Sequence, residues 1–491
     1  GRFDEAEASY RKAIALNQDL PSAHSNLGGI LRERGLQKES LDCHLKAMSL
    51  NPNSVSFRWE FALGQLAKVY LTHKDMEESL HGLEEELTKL QEFITAERLQ
   101  ETATFTRVGS SYPYHLAYIE KDNKYLLRKH GELCCRIMEN WQEKNLISPV
   151  NSIRKRYASG KIKIGIVSAH IRYHSVWNAF LKGVIKNLDS EKFEIHIFSL
   201  SNICDGETDL AKTIVEYFNE EERGLIQWAN KIRNSEIDIA FYPEIGMDKQ
   251  TIQLASMRLA PIQVCSYGHP ETSGLPTIDY YISSELLETS NSDSFYTEKL
   301  FKLPGLGYYF EPPTLESSDA DLIQMGINQN LPKLLCLGNP SKFSPLYDWV
   351  LIAIIRRLGN CQLIFMHDVT GASEILQKRL KDRIEDAGFI FKKHVVFVSL
   401  QSREGFSALM KSADLLMDTL GFSGLNTTMQ AIGCGLPVIT LEGEYQRSRH
   451  AGAILRTLGV EELITKTETE YIDLVERFIL DREFRLKIRR K

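Results

Sequence analysis

The stretch Asp418 to Thr440, DTLGFSGLNTTMQAIGCGLPVIT, holds the residues whose order most clearly implies chemistry. It reads as a buried strand end, a glycine-rich loop, a helix start and another strand. Gly421, Ser423 and Gly424 let the backbone approach a ligand closely. Asn426, Thr427 and Thr428 follow where a helix begins, and they suit its unpaired N–H groups. That end carries a partial positive charge, so a phosphate is its natural guest.

Other loops offer complementary groups. GNPSKFSP at 338–345 follows a predicted strand, and its Lys342 can set an ammonium on a diphosphate held by the helix near Thr427. A solvated loop lysine is the plain alternative. VSLQSREGF at 398–406 faces the same edge, where backbone groups around Gln401 suit a base and Arg403 lies close by. Gln430, one turn into the helix after the phosphate loop, suits ribose hydroxyls. Arg403 and Gln430 also read as ordinary helix-surface residues. His170 and His174 sit in VSAHIRYHSVWNAF, where a strand gives way to a helix. A histidine there serves as a base or a hydrogen-bonding group, although most loop histidines do neither. FYPEIGM at 241–247 points Glu244 at the same edge, as a base or as an arginine's partner. YGHPETSGLPTIDYYIS at 267–283 adds His269, Thr272, Ser273 and Gly274, in a loop that its Gly-His-Pro punctuation also explains as a turn. The pair Asp319-Ala-Asp321 has the form of a divalent-cation site. It follows two serines and precedes an apolar helical run, so a helix N-terminus is the expected reading and no metal is assigned.

The elements that must position these groups follow from pattern. At 491 residues the chain is long enough for about three domains. With 43% hydrophobic and 25% charged residues it reads as a soluble globular protein. A net charge of −6 gives no reason to expect nucleic acid. There is no run of about 18 apolar residues and no leader pattern, so no membrane contact is expected. The eight cysteines form neither a metal spacing nor a disulfide frame, as in a reducing cytoplasm.

Residues 1–21 align with 35–55 at a shift of 34, matching Gly1 with Gly35, Ala13 with Ala47 and Asn17 with Asn51. This period and its small-residue positions resemble a tetratricopeptide repeat, and the chain opens on the second helix of a unit, as the end of a longer array would. Repeats are assigned to 1–55 and a helical linker region to 56–150. From Lys161 short β-branched runs alternate with helical patterns, which predicts a parallel sheet with helices on both faces. This first Rossmann-like domain, on the acceptor side, is assigned to 161–302, a linker to 303–332, and a second, nucleotide-sugar-binding domain to 333–491. The expected fold is therefore α plus α/β, with helical repeats followed by two Rossmann-like domains. Paired domains of this kind make a cleft between their strand C-termini, the GT-B architecture of nucleotide-sugar transferases.

RLAPIQVCSYGHPETSG and GLNTTMQAIGCGLPVIT, in this domain order, resemble the O-GlcNAc transferase family in its bacterial branch, which includes SPINDLY and the adhesin N-glucosyltransferases. The resemblance implies an inverting, metal-independent transfer of a sugar from a UDP-sugar to a protein side chain, with no cofactor. By motif it makes Lys342 the diphosphate lysine, Asn339 a polar donor-site residue and His174 the cleft histidine. It places Thr427 and Thr428 at the diphosphate helix start, and Gln430 where relatives grip ribose with a carboxylate. Leu425 departs from the family's histidine, which leaves the transferred sugar open. A polypeptide acceptor on the repeat face and a homodimer are further expectations. An inactive scaffold and a non-protein acceptor are the competing readings.

Overall fold

The computed structural model describes residues 2–150, 160–311 and 321–491. Helices α1 (Arg2–Leu16), α2 (Pro21–Glu33), α3 (Gln37–Leu50) and α4 (Val55–Leu63) stack as antiparallel neighbours. The close approach of α2 to α3 explains a small residue in the repeat, because a Cβ on Gly28 would meet the His44 ring at 2.8 Å. Neither nitrogen of buried His44 has a protein partner, and burial holds its pKa down at about 4.

The region 56–150 is not helical throughout. Two long helices, His73–Phe93 and Lys124–Lys144, flank a stretch of short turns. Gly109 sits at φ +77°, and a Cβ there would strike Ile252 and the Lys249 backbone. Pro113 follows and removes a helical donor. This break carries Tyr114–Tyr118 out of the helical layer as a single 3₁₀ turn.

Two parallel sheets follow. The first comprises β1 (Ile162–Ser168), β2 (Phe193–Ser199), β3 (Tyr217–Asn219), β4 (Ile239–Tyr242), β5 (Ile262–Ser266), β6 (Tyr280–Ser284) and β7 (Lys299–Leu303). Its order is β3-β2-β1-β4-β5-β6-β7. The second comprises β8 (Lys333–Leu335), β9 (Gln362–Met366), β10 (Val395–Val398), β11 (Leu415–Met417), β12 (Val438–Leu441) and β13 (Ile464–Thr465), in the order β10-β9-β8-β11-β12-β13. Both orders reverse direction after a first strand, as in Rossmann folds, so a crevice opens beyond the C-termini of β1 and β4, and another beyond β8 and β11. β3, β7 and β13 have no counterpart among the predicted runs. They are edge elements of two to five residues with half-polar sequences.

The apolar runs are buried on both faces, as helices on each side of a sheet require. Leu334, Leu363, Phe365, Leu415, Met417 and Ile439 enter one core, and the alternate Leu335, Ile364, Leu416 and Val438 enter another. The first sheet shares one continuous core with the helical region, from Trp59 and Leu83 through Trp141 to Ile166 and Tyr242. The repeats dock instead on the second domain. Lys68 Nζ contacts Glu33 at 2.9 Å and Thr370 Oγ1 at 2.9 Å, and Gly35 at φ +80° lets the chain close on Ile375. The two sheets are thus held in a fixed relation by the helices around them.

Candidate active site

A cleft of about 510 Å³ opens where the two crevices face one another. The second domain contributes Asn339, Lys342, Asn426 and Thr427, and the first contributes Val176, Phe180, Tyr267 and Gly268. Each group stands in the loop or helix start that follows a strand, because the βα connection must pass there.

The phosphate loop is built around Asp418. Its carboxylate accepts from Ser423 Oγ at 2.7 Å, Gly424 N at 2.8 Å and Thr440 Oγ1 at 2.6 Å. These bonds fold the chain back so that the helix Asn426–Gly433 starts at the cleft. Leu425 precedes it without a side-chain cap. Among the described residues the N–H groups of Asn426, Thr427 and Thr428 have no protein acceptor, so three oriented donors and the helix dipole meet the cleft. The Thr428 side chain turns the other way. It is fully buried and its hydroxyl has no partner, so only its backbone can face a ligand.

Lys342 lies across from this helix end. Its Nζ sits 4.4 Å from the Phe422 ring centre, and its stem is walled in by protein. Burial pushes its pKa down from 10.5 to about 8, while Asp418 acts in the opposite sense. An incompletely neutralised cation beside free N–H donors is a binding site for a polyanion.

Gln401, Arg403 and Gln430 form a second hollow of about 180 Å³, along the next turn of the same helix. Arg403 stacks on Tyr173 of the first domain, with Cζ 3.6 Å from the ring centre. Gln401 Nε2 donates to Ser399 O at 2.7 Å. The expected donor residues therefore fall into two neighbouring hollows, the first beside Lys342 and the second flat and partly aromatic.

On the first domain, His170 and His174 stack with ring centres 4.1 Å apart. Val176 N donates to His174 Nδ1 at 3.3 Å, which places the proton of the neutral ring on Nε2. Burial, His170 and Arg172 hold its pKa near 4. His174 is therefore shaped as a hydrogen-bond donor and not as a base. Glu244 is wholly buried behind it, where Oε1 accepts from Ala169 N at 2.9 Å and His170 Nδ1 at 3.2 Å. A carboxylate so enclosed orients His170 and meets no acceptor.

The other acceptor-side residues also turn away from the cleft. His269 is buried under Tyr114, whose carbonyl lies 3.5 Å from Nε2. Glu298 gathers the following loop, accepting from Thr272 Oγ1 at 2.5 Å, Ser273 N at 2.8 Å and Ser273 Oγ. Gly274, at φ +70°, lets this loop press on Leu127. Their role is packing, since three donors converge on one buried carboxylate. Glu298→Ala is accordingly expected to lower stability by about 1–3 kcal/mol, with donor affinity unchanged within about twofold. Thermal melts beside titration calorimetry check this, and a tenfold loss of affinity contradicts it.

The groups that replace them on the wall were not singled out in the sequence. Tyr114 and Tyr118 enter from the 3₁₀ turn, Phe422 meets Tyr118 at 4.8 Å, and His450 closes the back. The Tyr-Pro-Tyr break at 112–114 was the one local signal for the tyrosines. Of the acidic pair, Asp321 accepts from Gln324 N at 3.0 Å in a turn, and Asp319 lies outside the described residues.

Two sheets of Rossmann order, with a cleft between their strand ends, define a GT-B fold. Residues 84–310 and 342–491 match Glycosyl transferase family 41, and residues 1–31 match a TPR repeat. The chain belongs to family 41. It is 22% identical over 335 residues to the Petunia hybrida protein named probable UDP-N-acetylglucosamine–peptide N-acetylglucosaminyltransferase SPINDLY, covering 65% of this chain and 34% of that protein. It is 25% identical over 260 residues to a UDP-glucose:protein N-β-glucosyltransferase of Actinobacillus pleuropneumoniae, covering 51% of this chain and 40% of that one. The chain thus spans well under half the length of these relatives. A substituted O-GlcNAc transferase of Thermobaculum terrenum superposes over 100% of this chain and 89% of its own, with a TM-score of 0.72 at 22% identity, which shows a shared fold. Among the described residues, no helix is long and apolar enough to cross a membrane.

Proposed function

We propose that this protein transfers a sugar from a UDP-sugar to Ser, Thr or Asn side chains of a polypeptide, with inversion and without a metal. The observation that carries this reading is the juxtaposition of Lys342 and the uncapped helix start at Asn426 on the second domain's wall of one cleft. That pair supplies positive charge where a diphosphate leaving group gains negative charge. The acceptor attacks the anomeric carbon, the bond to the diphosphate oxygen breaks, and Lys342 with the amides of 426–428 stabilises the departing UDP. His174 Nε2–H donates to the donor, and the hollow of Gln401, Arg403 and Gln430 receives the nucleoside. The names of the relatives supply the UDP-sugar and the protein acceptor, and the docked repeats give a polypeptide a surface beside the cleft. A cytoplasmic setting accords with eight unpaired cysteines. The expected dimer finds no support in the fold or the relatives, so the proposal is made for one chain.

Incubation with UDP-glucose, UDP-GlcNAc and a peptide library is expected to release UDP and to add one hexose or N-acetylhexosamine mass to a peptide. Absence of UDP release with every donor counts decisively against the reading.

The depressed pKa of Lys342 also sets a pH dependence. A bound diphosphate favours the ammonium, so above about pH 8 binding must take up a proton. UDP-sugar affinity is expected to be flat below about pH 8 and to fall by up to about tenfold per unit above it. The free protein behaves oppositely. Its folded-state lysine pKa lies below the unfolded value, so stability rises as pH climbs from about 8 to 10.5. Calorimetry in two buffers of different ionisation enthalpy reads the proton uptake, and none at pH 9 contradicts the assignment.

A further inference from the structure

His450 is the first residue of the helix His450–Thr457, which packs beside the phosphate loop. Ala451 N donates to Ser423 Oγ at 2.8 Å and Ser423 N donates to Arg447 O at 2.7 Å. These bonds tie the start of that helix to the loop that begins the diphosphate site. The imidazole lines the cleft, yet only 4% of the residue is exposed. Nδ1 is buried without a partner, and among the described residues no protein group bonds Nε2. The nearest rings are Tyr267, with centres 6.4 Å apart, and Tyr308, at 6.2 Å, so contact with them is apolar.

A buried imidazole normally satisfies its nitrogens, because leaving a polar group unpaired costs about 1–3 kcal/mol. Thr272 and Ser273 obey that rule elsewhere in this domain pair. His450 does not, and its position is particular. Lys342 and Asn426 lie on its own side of the cleft, while Phe180 and Tyr267 of the first domain face it. A ligand whose diphosphate sits on Lys342 must extend its next group into the gap between these walls. That group is the sugar.

Resting on the proposed donor site, we infer that His450 binds the transferred sugar, hydrogen-bonding one of its hydroxyl or acyl oxygens. Burial and the neighbouring Lys342 hold its pKa near 3, so the ring is neutral throughout the working range. It therefore offers one N–H and one lone pair, which suits a sugar oxygen better than a phosphate. A cation here would compete with Lys342 for the diphosphate. A neutral ring leaves charge recognition to the lysine and reads the sugar separately.

The test compares UDP with UDP-GlcNAc and UDP-glucose on His450→Phe and His450→Asn by calorimetry. His450→Phe keeps the ring's bulk and removes both nitrogens. It is expected to bind UDP within about twofold of the unchanged protein and at least one UDP-sugar tenfold or more weakly. His450→Asn retains one hydrogen-bonding group and is expected to recover part of that loss. Equal weakening for UDP and both UDP-sugars overturns the inference, because it marks a packing role. Unchanged affinity for all three overturns it as well. Failure of the unchanged protein to bind UDP at all is a separate result that removes the donor site and this inference with it. Should His450→Phe not fold, the asparagine variant decides alone. A selective loss for one UDP-sugar supports the assignment, and loss shared with UDP refutes it.

Discussion

Replacing Lys342 with alanine is expected to lower kcat by about 10²–10³-fold while the protein melts at the same temperature or higher. The two halves of that result come from one fact. The lysine is half-buried at the cleft, with Phe422 4.4 Å from the ammonium and burial forcing its pKa down to about 8. A cation whose pKa is depressed costs the free protein stability, so removing it is expected not to harm the fold. In the proposed reaction the same cation meets a leaving diphosphate, to which a charge-assisted hydrogen bond is strong. Arginine is not an equivalent, because it replaces a compact ammonium with a planar, delocalised charge. Steady-state rates at saturating donor and a thermal melt on one preparation check the prediction. Activity within about fivefold of the unchanged protein would remove the lysine from the leaving-group site. A scaffold that never turned over would show no rate to lose and would keep its partners.

The second large effect is on stability. Arg447→Ala is expected to destabilise the protein by about 3–5 kcal/mol. Arg447 belongs to the second domain, but its side chain is buried against the first. Nη1 lies 2.9 Å from Glu271 Oε1, and Nη2 donates to Ile119 O at 2.8 Å and Lys121 O at 2.7 Å. The adjacent Gln446 bonds Tyr281 at 3.0 Å and Ser283 at 2.9 Å on strand β6. Together these residues fix the walls of the cleft in place. Alanine leaves Glu271 with Asn123 Nδ2 at 2.7 Å as its remaining strong partner in an apolar setting. The expected fall in melting temperature is roughly 6–20 °C, taking about 2–4 °C per kcal/mol.

The pH dependence has a defined sign. Burial already raises the Glu271 pKa above 4.5, and Arg447 pulls it back. Without Arg447 the folded-state value climbs further. A group with a raised folded-state pKa gives stability below its unfolded pKa and loses it as pH rises through the folded one. The deficit of the variant should therefore be larger at pH 8 than at pH 5, and adding Glu271→Gln should recover part of it at pH 8. Urea melts at both pH values read this. A deficit that is under about 1 kcal/mol and insensitive to pH would mean that the pair is solvated.

Much of the second domain's cleft wall could be read locally. Asn339, Lys342, Asn426 and Thr427 lie four to ten residues beyond a strand end, in segments whose glycines and polar residues announce them. The two domains and the strand runs were equally plain, because short apolar segments of three to seven residues between amphipathic helices admit few other readings. Thr428 shows the limit of such reading. A helix start names three candidate side chains, and only the packed helix decides which of them face the core.

What the sequence could not supply was every property that depends on residues far apart in the chain. Glu298 lies 25 residues beyond Ser273, and it turned an apparent acceptor loop into packing. Glu244 became the support of His170 across 74 residues. The tautomer and low pKa of His174 come from burial and a neighbouring ring, neither of which is written in the residue itself. Tyr114, Tyr118 and His450 reach the cleft because helices and loops of three regions converge there. Short-range patterns fix element type, strand ends and capping, since these arise from backbone dihedrals and nearest neighbours. Whether a polar group is a ligand or a strut is settled by which distant partner satisfies it, and only the folded packing brings that partner near.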